Sequence, residues 1–432
     1  MNYHTGDILH SQSGTKIVLG KFLSQGGEGS VFEISSPINH VAKIYHKTTI
    51  TRNLHYKLQY MISSPPKDPS MPSHVSIAWP TELIVNKNRE FIGYYMPKIN
   101  NSYSLYDLLQ SQRRAALHPE LNHEHIYRTA MNIASALHAL HEMNYVIGDL
   151  NHNNILFNNK ALCAFIDCDS MQVRTRSSEI YRCTVGVNEY LSPELLGIDL
   201  SHIIRTQQQD LFSIAVLFFK LFMQGFHPFQ GRPKPDNDID ISDVQIHNMK
   251  RNIFPYIDNP YYFIAKSAPG LDCLSPILQN LFKQAFTQPN NRPTAEQWHH
   301  AIELVEQRLV YCINDKSHVH PIDGKCVICE VLIKSNLKQP SNNTNVKHIY
   351  VKPQNKVPQP TTTSVSKSPA NKQIISVSAG FTHSLAMTNT GEVIIWGDKS
   401  VIPNAPLAAL TNVASINTNG GLSIQVRQRV GK

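Results

Sequence analysis

The chain reads as an α+β protein of more than one unit, with a strand-rich head, a helical body and a β-like tail. Three observations carry this reading. Apolar stretches punctuated by turn residues mark strands over Lys16–Gly20, Ser24–Ile34 and His40–Tyr45, whereas Ile126, Ala130, Ile133, Leu137 and Leu140 share one face of a helix. That helix runs into Tyr145-Val-Ile-Gly-Asp-Leu-Asn-His-Asn-Asn-Ile-Leu-Phe157, a polar loop between two apolar runs, and a second acidic turn follows at Phe165-Ile-Asp-Cys-Asp169. Finally, 432 residues exceed what one ordinary core organises, so two or three units are expected.

Composition narrows the class. With 41% hydrophobic and 17% charged residues, the chain has enough apolar surface for a packed core. Met1-Asn-Tyr-His-Thr-Gly-Asp7 has neither a basic stretch nor an apolar core, which argues against a secretory signal. The apolar stretch Leu211–Met223 is too short for a membrane span and contains Lys220. Seven cysteines without a regular framework suggest a reducing compartment, so a cytoplasmic location is expected.

In the head, Ser24-x-Gly26-Gly27-x-Gly29-x-Val31 clusters residues whose small side chains let backbone amides approach phosphate oxygens. On its own, a hairpin turn explains such a cluster about as well. Val41-Ala-Lys43 follows twelve residues after Val31 and adds a cation on the next strand. Thr51–Met61 is expected to be a helix beside this sheet. Further on, Phe91-Ile-Gly-Tyr-Tyr-Met-Pro-Lys98 reads as a strand, Tyr103–Gln112 and Ile126–Glu142 as helices, and the second helix delivers the chain to Asp149.

Asp149, Asn154 four intervening residues later, and Asp167 resemble the protein-kinase catalytic loop and the metal-binding Asp of the Asp-Phe-Gly turn. With the glycine cluster and Lys43 in the same order, the chain resembles the protein kinases. That implies a bilobal protein-kinase-like fold over residues 1–310, with an N-lobe at about 10–98 and a C-lobe at about 99–310. It also implies ATP and Mg2+ as cofactors. Ser24, Gly26, Gly27, Gly29 and Val31 would cover the phosphates, Lys43 would reach them, and the hinge backbone from Met96 to Lys98 would hydrogen-bond the adenine edge. Asp149 would orient the acceptor hydroxyl and take its proton, while Asn154 and Asp167 would hold Mg2+.

The chain departs from the family's pattern in several places. No acidic residue occurs between Lys43 and Asp68, so the helix Glu that pairs with the lysine is missing and Gln59 is a weaker substitute. Ile147-Gly148 stands in place of His-Arg before the catalytic Asp, which predicts that phosphorylation of the activation segment, at Ser177, Ser178 or Thr184, is not obligatory. Asn151 replaces the usual Lys of Ser/Thr kinases, and Cys168-Asp169 replace Phe-Gly. The variant Gly-Asp-Leu-Asn loop is similar to a bacterial kinase group associated with von Willebrand A-type proteins and PP2C-type phosphatases, which the resemblance implies as partners. Asp210 would brace the catalytic loop, and Arg292 would pair with Glu194 of Pro-Glu, where truncating either partner of a buried pair would leave a charge alone at a cost of about 3–5 kcal/mol.

After a closing helix over Thr294–Val310, Cys312, His318, Cys326 and Cys329 have a spacing that suits one tetrahedral Zn2+, with His320 a rival to His318 and free thiols the alternative. A small zinc knuckle is therefore expected over 311–331, stabilised by metal because so short a segment has little core. From Val331 to Lys372 there are seven lysines and no acidic residue amid Asn, Pro, Ser and Thr. Residues 332–372 therefore read as a flexible basic linker, and without interleaved aromatics it is not read as a nucleic-acid arm. Residues 373–432, with Ile375–Met387, a turn at Asn389-Thr-Gly391 and Glu392–Gly397, resemble a regulator-of-chromosome-condensation (RCC1) repeat. That is a partial β-propeller, suited to binding a partner.

The sequence thus predicts an ATP- and Mg2+-dependent protein kinase acting on Ser/Thr of a protein substrate. The alternative is a nucleotide-binding scaffold that has lost phosphoryl transfer.

Overall fold

The computed structural model describes residues 3–109, 111–234, 243–336 and, as backbone strands, 374–379, 383–388, 393–397, 413–419 and 423–428. The chain divides into two units, Met1–Asn343 and Thr344–Lys432.

The head of the first unit is a closed antiparallel barrel of β1 (Ile8–Ser11), β2 (Lys16–Gln25), β3 (Gly29–Ser36), β4 (His40–Tyr45), β5 (Glu82–Val85) and β6 (Phe91–Pro97), in the order β1-β2-β3-β4-β6-β5. β1 closes it by pairing with both β2 and β5. Alternate residues point inward, so Leu9, Ile17, Leu19, Phe32, Ile34, Ala42 and Ile44 form a core of their own. Burying each such Leu, Ile or Phe is worth roughly 1.5–3 kcal/mol. The expected strand Ser24–Ile34 is broken by a turn at residues 26–28. α1 (Arg52–Ser63) crosses outside the barrel and starts where the Thr51 side chain accepts from the Leu54 amide.

The body follows with β7 (Tyr103–Ser104), α2 (Tyr106–Leu109), α3 (Ser111–Leu117), α4 (His123–Glu142), β8 (Ile155–Phe157), β9 (Cys163–Phe165), β10 (Val173–Arg174) and β11 (Ile180–Tyr181). The expected helix over 103–112 starts late because Tyr103 and Ser104 pair with Phe157 and Leu156 of β8. In α4 the five residues of the predicted stripe, Ile126 to Leu140, are all fully buried. α5 (Gln207–Phe222) is apolar all round and buried from Asp210 onward, as expected of a helix at the centre of a lobe. Thr206 and Gln209 cap its start reciprocally. β12 (Gly231–Pro233), α6 (Val244–Lys250), β13 (Tyr262–Ile264), α7 (Pro276–Thr287) and α8 (Ala295–Glu306) complete the body.

α8 stops before the expected Val310 because Leu309–Tyr311 forms β14, which pairs with β15 (Val319–Pro321). α9 (Val327–Asn336) starts directly after Cys326, carries Cys329 and runs beyond residue 331, the expected end of the knuckle. The basic stretch from residue 337 on lies outside the described residues.

In the second unit, β16 (Ile374–Ala379), β17 (His383–Thr388) and β18 (Val393–Gly397) form an antiparallel sheet, and β19 (Val413–Asn419) pairs with β20 (Ser423–Gln428). The turn expected at Asn389-Thr-Gly391 lies outside the described residues. Among the described residues, no helix is long and apolar enough to cross a membrane.

Candidate active site

A cavity of about 720 Å³ opens between barrel and body. Ser24, Gly26, Gly27, Gly29, Val31, Lys43, Met96, Lys98, Asp149, Asn154 and Asp167 all line it, together with apolar Val41, Ala78, Leu156 and Ile166. The barrel register puts them there. Lys43 sits opposite Val31 on β3 and Tyr94 on β6, so these side chains share one face of the sheet. Gly29 has a reason to be glycine: a Cβ there would collide with the backbone of Ile44. Above Gly26 and Gly27 the protein leaves open space instead.

Lys43 Nζ donates to Asp167 (2.6 Å) and to both oxygens of Asp169 (2.7 and 2.9 Å), with Glu28 of the glycine turn at 3.4 Å. Asp169 also accepts from Tyr45 (2.5 Å) and Tyr94 (2.7 Å). Burial opposes its ionisation, but Lys43 and the tyrosine hydroxyls outweigh it and hold the carboxyl down at about 2. Burial and the neighbouring Asp169 push Asp167 the other way, up to about 6, against the pull of Lys43. Asp167 itself takes the left-handed backbone conformation (φ 60°), which Asp tolerates better than most residues.

The Asp149 carboxylate is held between two amides. Asn151 donates to Oδ1 (3.0 Å), and Asn154 donates to Oδ2 (3.1 Å) and to the backbone carbonyl (2.9 Å). Below the loop, Asp210 accepts from the amides of Ile147 (2.7 Å) and Gly148 (2.8 Å). Gly148 adopts φ 73°, and a Cβ there would meet Cys183 and Arg205. Arg205 is buried, and its guanidinium donates to the carbonyls of Gly148 and Val185, so it straps the Asp149 loop to the segment around Val185.

Three expectations need correction. Gln59 does not reach Lys43; it lines a separate depression with Gln12, Ser13 and Glu82. The backbone N–H of Lys98 already donates to Asn39 (3.0 Å) and its ammonium pairs with Glu33, so Lys98 meets the cavity without a spare backbone donor. The Arg292–Glu194 pair is formed (3.0 and 3.2 Å), but the Glu194 side chain is 38% exposed, so it is not a buried pair.

Sequence reading missed Asp169, Tyr45, Tyr94, Lys57 and Arg205. A signal existed for Tyr45, which stands two residues from Lys43 on one strand and so on the same face.

At the end of the unit, the ligand atoms of Cys312, His318, Cys326 and Cys329 all lie within 4.8 Å of one another. Cys312 Sγ to Cys329 Sγ is 3.7 Å, and His318 Nδ1 lies 3.5 and 3.7 Å from Cys329 and Cys326. Tetrahedral Zn2+, with Zn–S of about 2.3 Å and Zn–N of about 2.0 Å, sets its ligands about 3.5–3.8 Å apart, so the donor set fits that ion. His320 stands outside the group, its Nδ1 against the carbonyls of Pro321 and Gly324 (2.9 Å each).

Residues 91–302 match the protein kinase domain family. This match begins at β6, so the glycine turn and Lys43 lie outside it. The chain is 29% identical over 321 residues to the protein kinase YegI of Escherichia coli (strain K12), and equally to that of Escherichia coli O157:H7. The alignment covers 72% of this chain and 48% of each relative, so the chain spans about half the length of the curated relatives it matches. Vaccinia related kinase 3 shares the fold, with a TM-score of 0.50 at 17% identity, covering 71% of this chain and 93% of that one. Residues 374–400 match the RCC1 repeat family.

Proposed function

We propose that the kinase domain transfers the γ-phosphate of ATP, with Mg2+, to Ser/Thr hydroxyls of a protein substrate. The observation that supports this most is that Lys43, Asp149, Asn154 and Asp167, from three separate segments of the chain, line one cavity with an apolar slot beside them. The open space over Gly26 and Gly27 leaves room for phosphates against the backbone.

Phosphoryl transfer asks a protein mainly for positioning and charge neutralisation. Asp149, aimed by the amides of Asn151 and Asn154, orients the acceptor hydroxyl and takes its proton. Lys43 brings a positive charge to the nucleotide phosphates. Asp167 and Asn154 are the residues that would hold Mg2+, which when bound neutralises charge on the phosphates. The Arg205 strap ties the loop to the activation segment without a phosphate, in keeping with activity that does not require one there. In the Cys/His cluster a structural Zn2+ is the reading the distances favour, and the RCC1-like strands are assigned to binding a partner.

The alternative is a nucleotide-binding scaffold, favoured by the cross-neutralised state of Lys43. Incubation with γ-labelled ATP, Mg2+ and a generic protein substrate, beside Asp149→Ala, separates the two. Transfer by the wild type, reduced about a hundredfold or more in the variant, is expected of a positioned general base. Nucleotide binding with equal or absent label in both proteins selects the scaffold.

A further inference from the structure

The carboxylate that the protein-kinase pattern places on the helix beside the lysine is missing from α1, and α1 turns a second cation inward instead. Lys57 is buried, and its ammonium donates to the backbone carbonyl of Asp169 (2.6 Å). The Asp169 carboxylate receives four contacts, two from Lys43 and one each from Tyr45 and Tyr94. A carboxylate offers about four lone-pair sites, so Asp169 is saturated. With its side chain 1% exposed, it has no face left for a ligand in the cavity. Asp167, two residues earlier, has a side chain 36% exposed on the cavity wall.

We propose that Asp169 is the positioning residue for Lys43, anchoring it from the acidic turn instead of from α1, with Tyr45 and Tyr94 fixing the carboxylate and Lys57 latching the turn to the helix. The two aspartates then have separate tasks. Asp167 is free to turn to a ligand, while Asp169 keeps the ammonium neutralised and aimed as it does so. The other charge facing Lys43 is Glu28, which is farther away and on an exposed turn. Burial would drive Lys43 toward the neutral amine; the two aspartates reverse this and push its pKa above the ordinary value. Because the lysine anchor and Asp167 share one turn, displacing that turn disables both together. A shift of α1 reaches the turn that anchors Lys43 through Lys57 and a carbonyl rather than through a carboxylate of its own.

The inference needs the cavity to bind a nucleotide, but not to transfer phosphate, so it is tested without turnover. The full chain is compared as wild type, Asp169→Asn, Tyr94→Phe and Gln59→Ala, the last as a control on α1. Two quantities are read: Mg–ADP affinity by calorimetry, and the rate at a fixed, near-neutral pH at which a small amine-reactive reagent labels Lys43, located by peptide mass. Asp169→Asn is expected to weaken Mg–ADP about tenfold or more, the loss implied by a missing hydrogen bond to a charged group. Its Lys43 labelling should speed up about tenfold or more, because the ammonium loses its buried partner. Tyr94→Phe should move both in the same direction by less, and Gln59→Ala should move neither. An Asp169→Asn protein that melts like wild type and keeps both quantities within about twofold of it overturns the proposal. If that variant does not fold, Tyr94→Phe decides, and an Mg–ADP affinity and a labelling rate both unchanged from wild type overturn it.

Discussion

The cavity and the Cys/His cluster gather polar side chains on opposite principles. In the cavity, Lys43 meets Asp167 and Asp169, so its charge finds counter-charges inside the protein. In the cluster, three thiols and an imidazole bring lone pair to lone pair at 3.5–3.7 Å. The first arrangement is complete before any ligand arrives. The second is complete only with a cation at its centre, because a segment of two short strands and α9 has little apolar surface of its own to hold it. One site is thus pre-organised by the fold, whereas the other would be organised by a metal.

Chelation tests this contrast and carries the largest expected effect. Structural zinc contributes about 10–16 kcal/mol of apparent binding energy in small zinc-finger peptides, far more than the packing of this segment can replace. Stripping the full chain with a strong chelator, or changing Cys326 to Ser, should release about one zinc per chain. Hydrogen-exchange protection of β14, β15 and the start of α9 should then disappear. Nucleotide binding in the cavity should persist. Protection that survives chelation would break the contrast from the cluster's side, and a cavity that fails along with it would break it from the other.

How much of each site was legible in the sequence follows the same division. The Cys/His cluster was legible because its ligands are close in sequence and metal ligands have few alternative uses. His318 against His320 was left open, and the carbonyl contacts of His320 decide it. The cavity's lining was legible from order and spacing, and the buried stripe of α4 from its period. The anchor of Lys43 was not. Lys57 reads as a surface lysine until the fold buries it, and Asp169 reads as one more polar turn residue. Arg205 lies far from Gly148 in sequence, and only the folded loop sets its guanidinium where a side chain at 148 would otherwise stand. In each case the informative sign was a substitution: an acid where glycine is usual, a glycine where arginine is usual. Such changes show that a partner has moved without showing where it went.

Acid should sharpen the contrast. His123, at the start of α4, is fully buried against Gln224 (2.6 Å). Burial first, and then the positive charges of Arg114, of the cluster's His318 and of nearby His320, push its pKa down to about 3. The unfolded chain, with an ordinary histidine near about 6.5, therefore takes up a proton that the folded chain refuses, and stability falls as pH drops from there toward 3. Between pH 7 and pH 5 the loss from His123 alone is about 2 kcal/mol. Asp169 behaves differently: its folded pKa of about 2 lies below the ordinary value, so its contribution is present above about 4 and is lost only as pH falls through 2. Urea unfolding at the two pH values, with His123→Gln as comparison, checks this. The variant should lose about 2 kcal/mol less than wild type over that interval, and equal losses would remove His123 as the acid-sensitive point.

The Arg292–Glu194 pair supplies the smallest effect and separates pairing from burial. It is charge-compensated like the cavity, yet one partner stands partly in water. Arg292 keeps other support when Glu194 is neutralised, because it also donates to the Gln208 carbonyl (2.9 Å) and lies over the Phe212 ring at 5.1 Å. Glu194→Gln should therefore cost only about 1 kcal/mol in denaturant unfolding, well short of the 3–5 kcal/mol of a fully buried pair. If it costs as much as a buried pair, compensation alone would explain the sensitivity of the cavity, and the exclusion of water around Asp169 would count for little. A small loss at Glu194 beside a large one at Asp169 would assign the difference to burial.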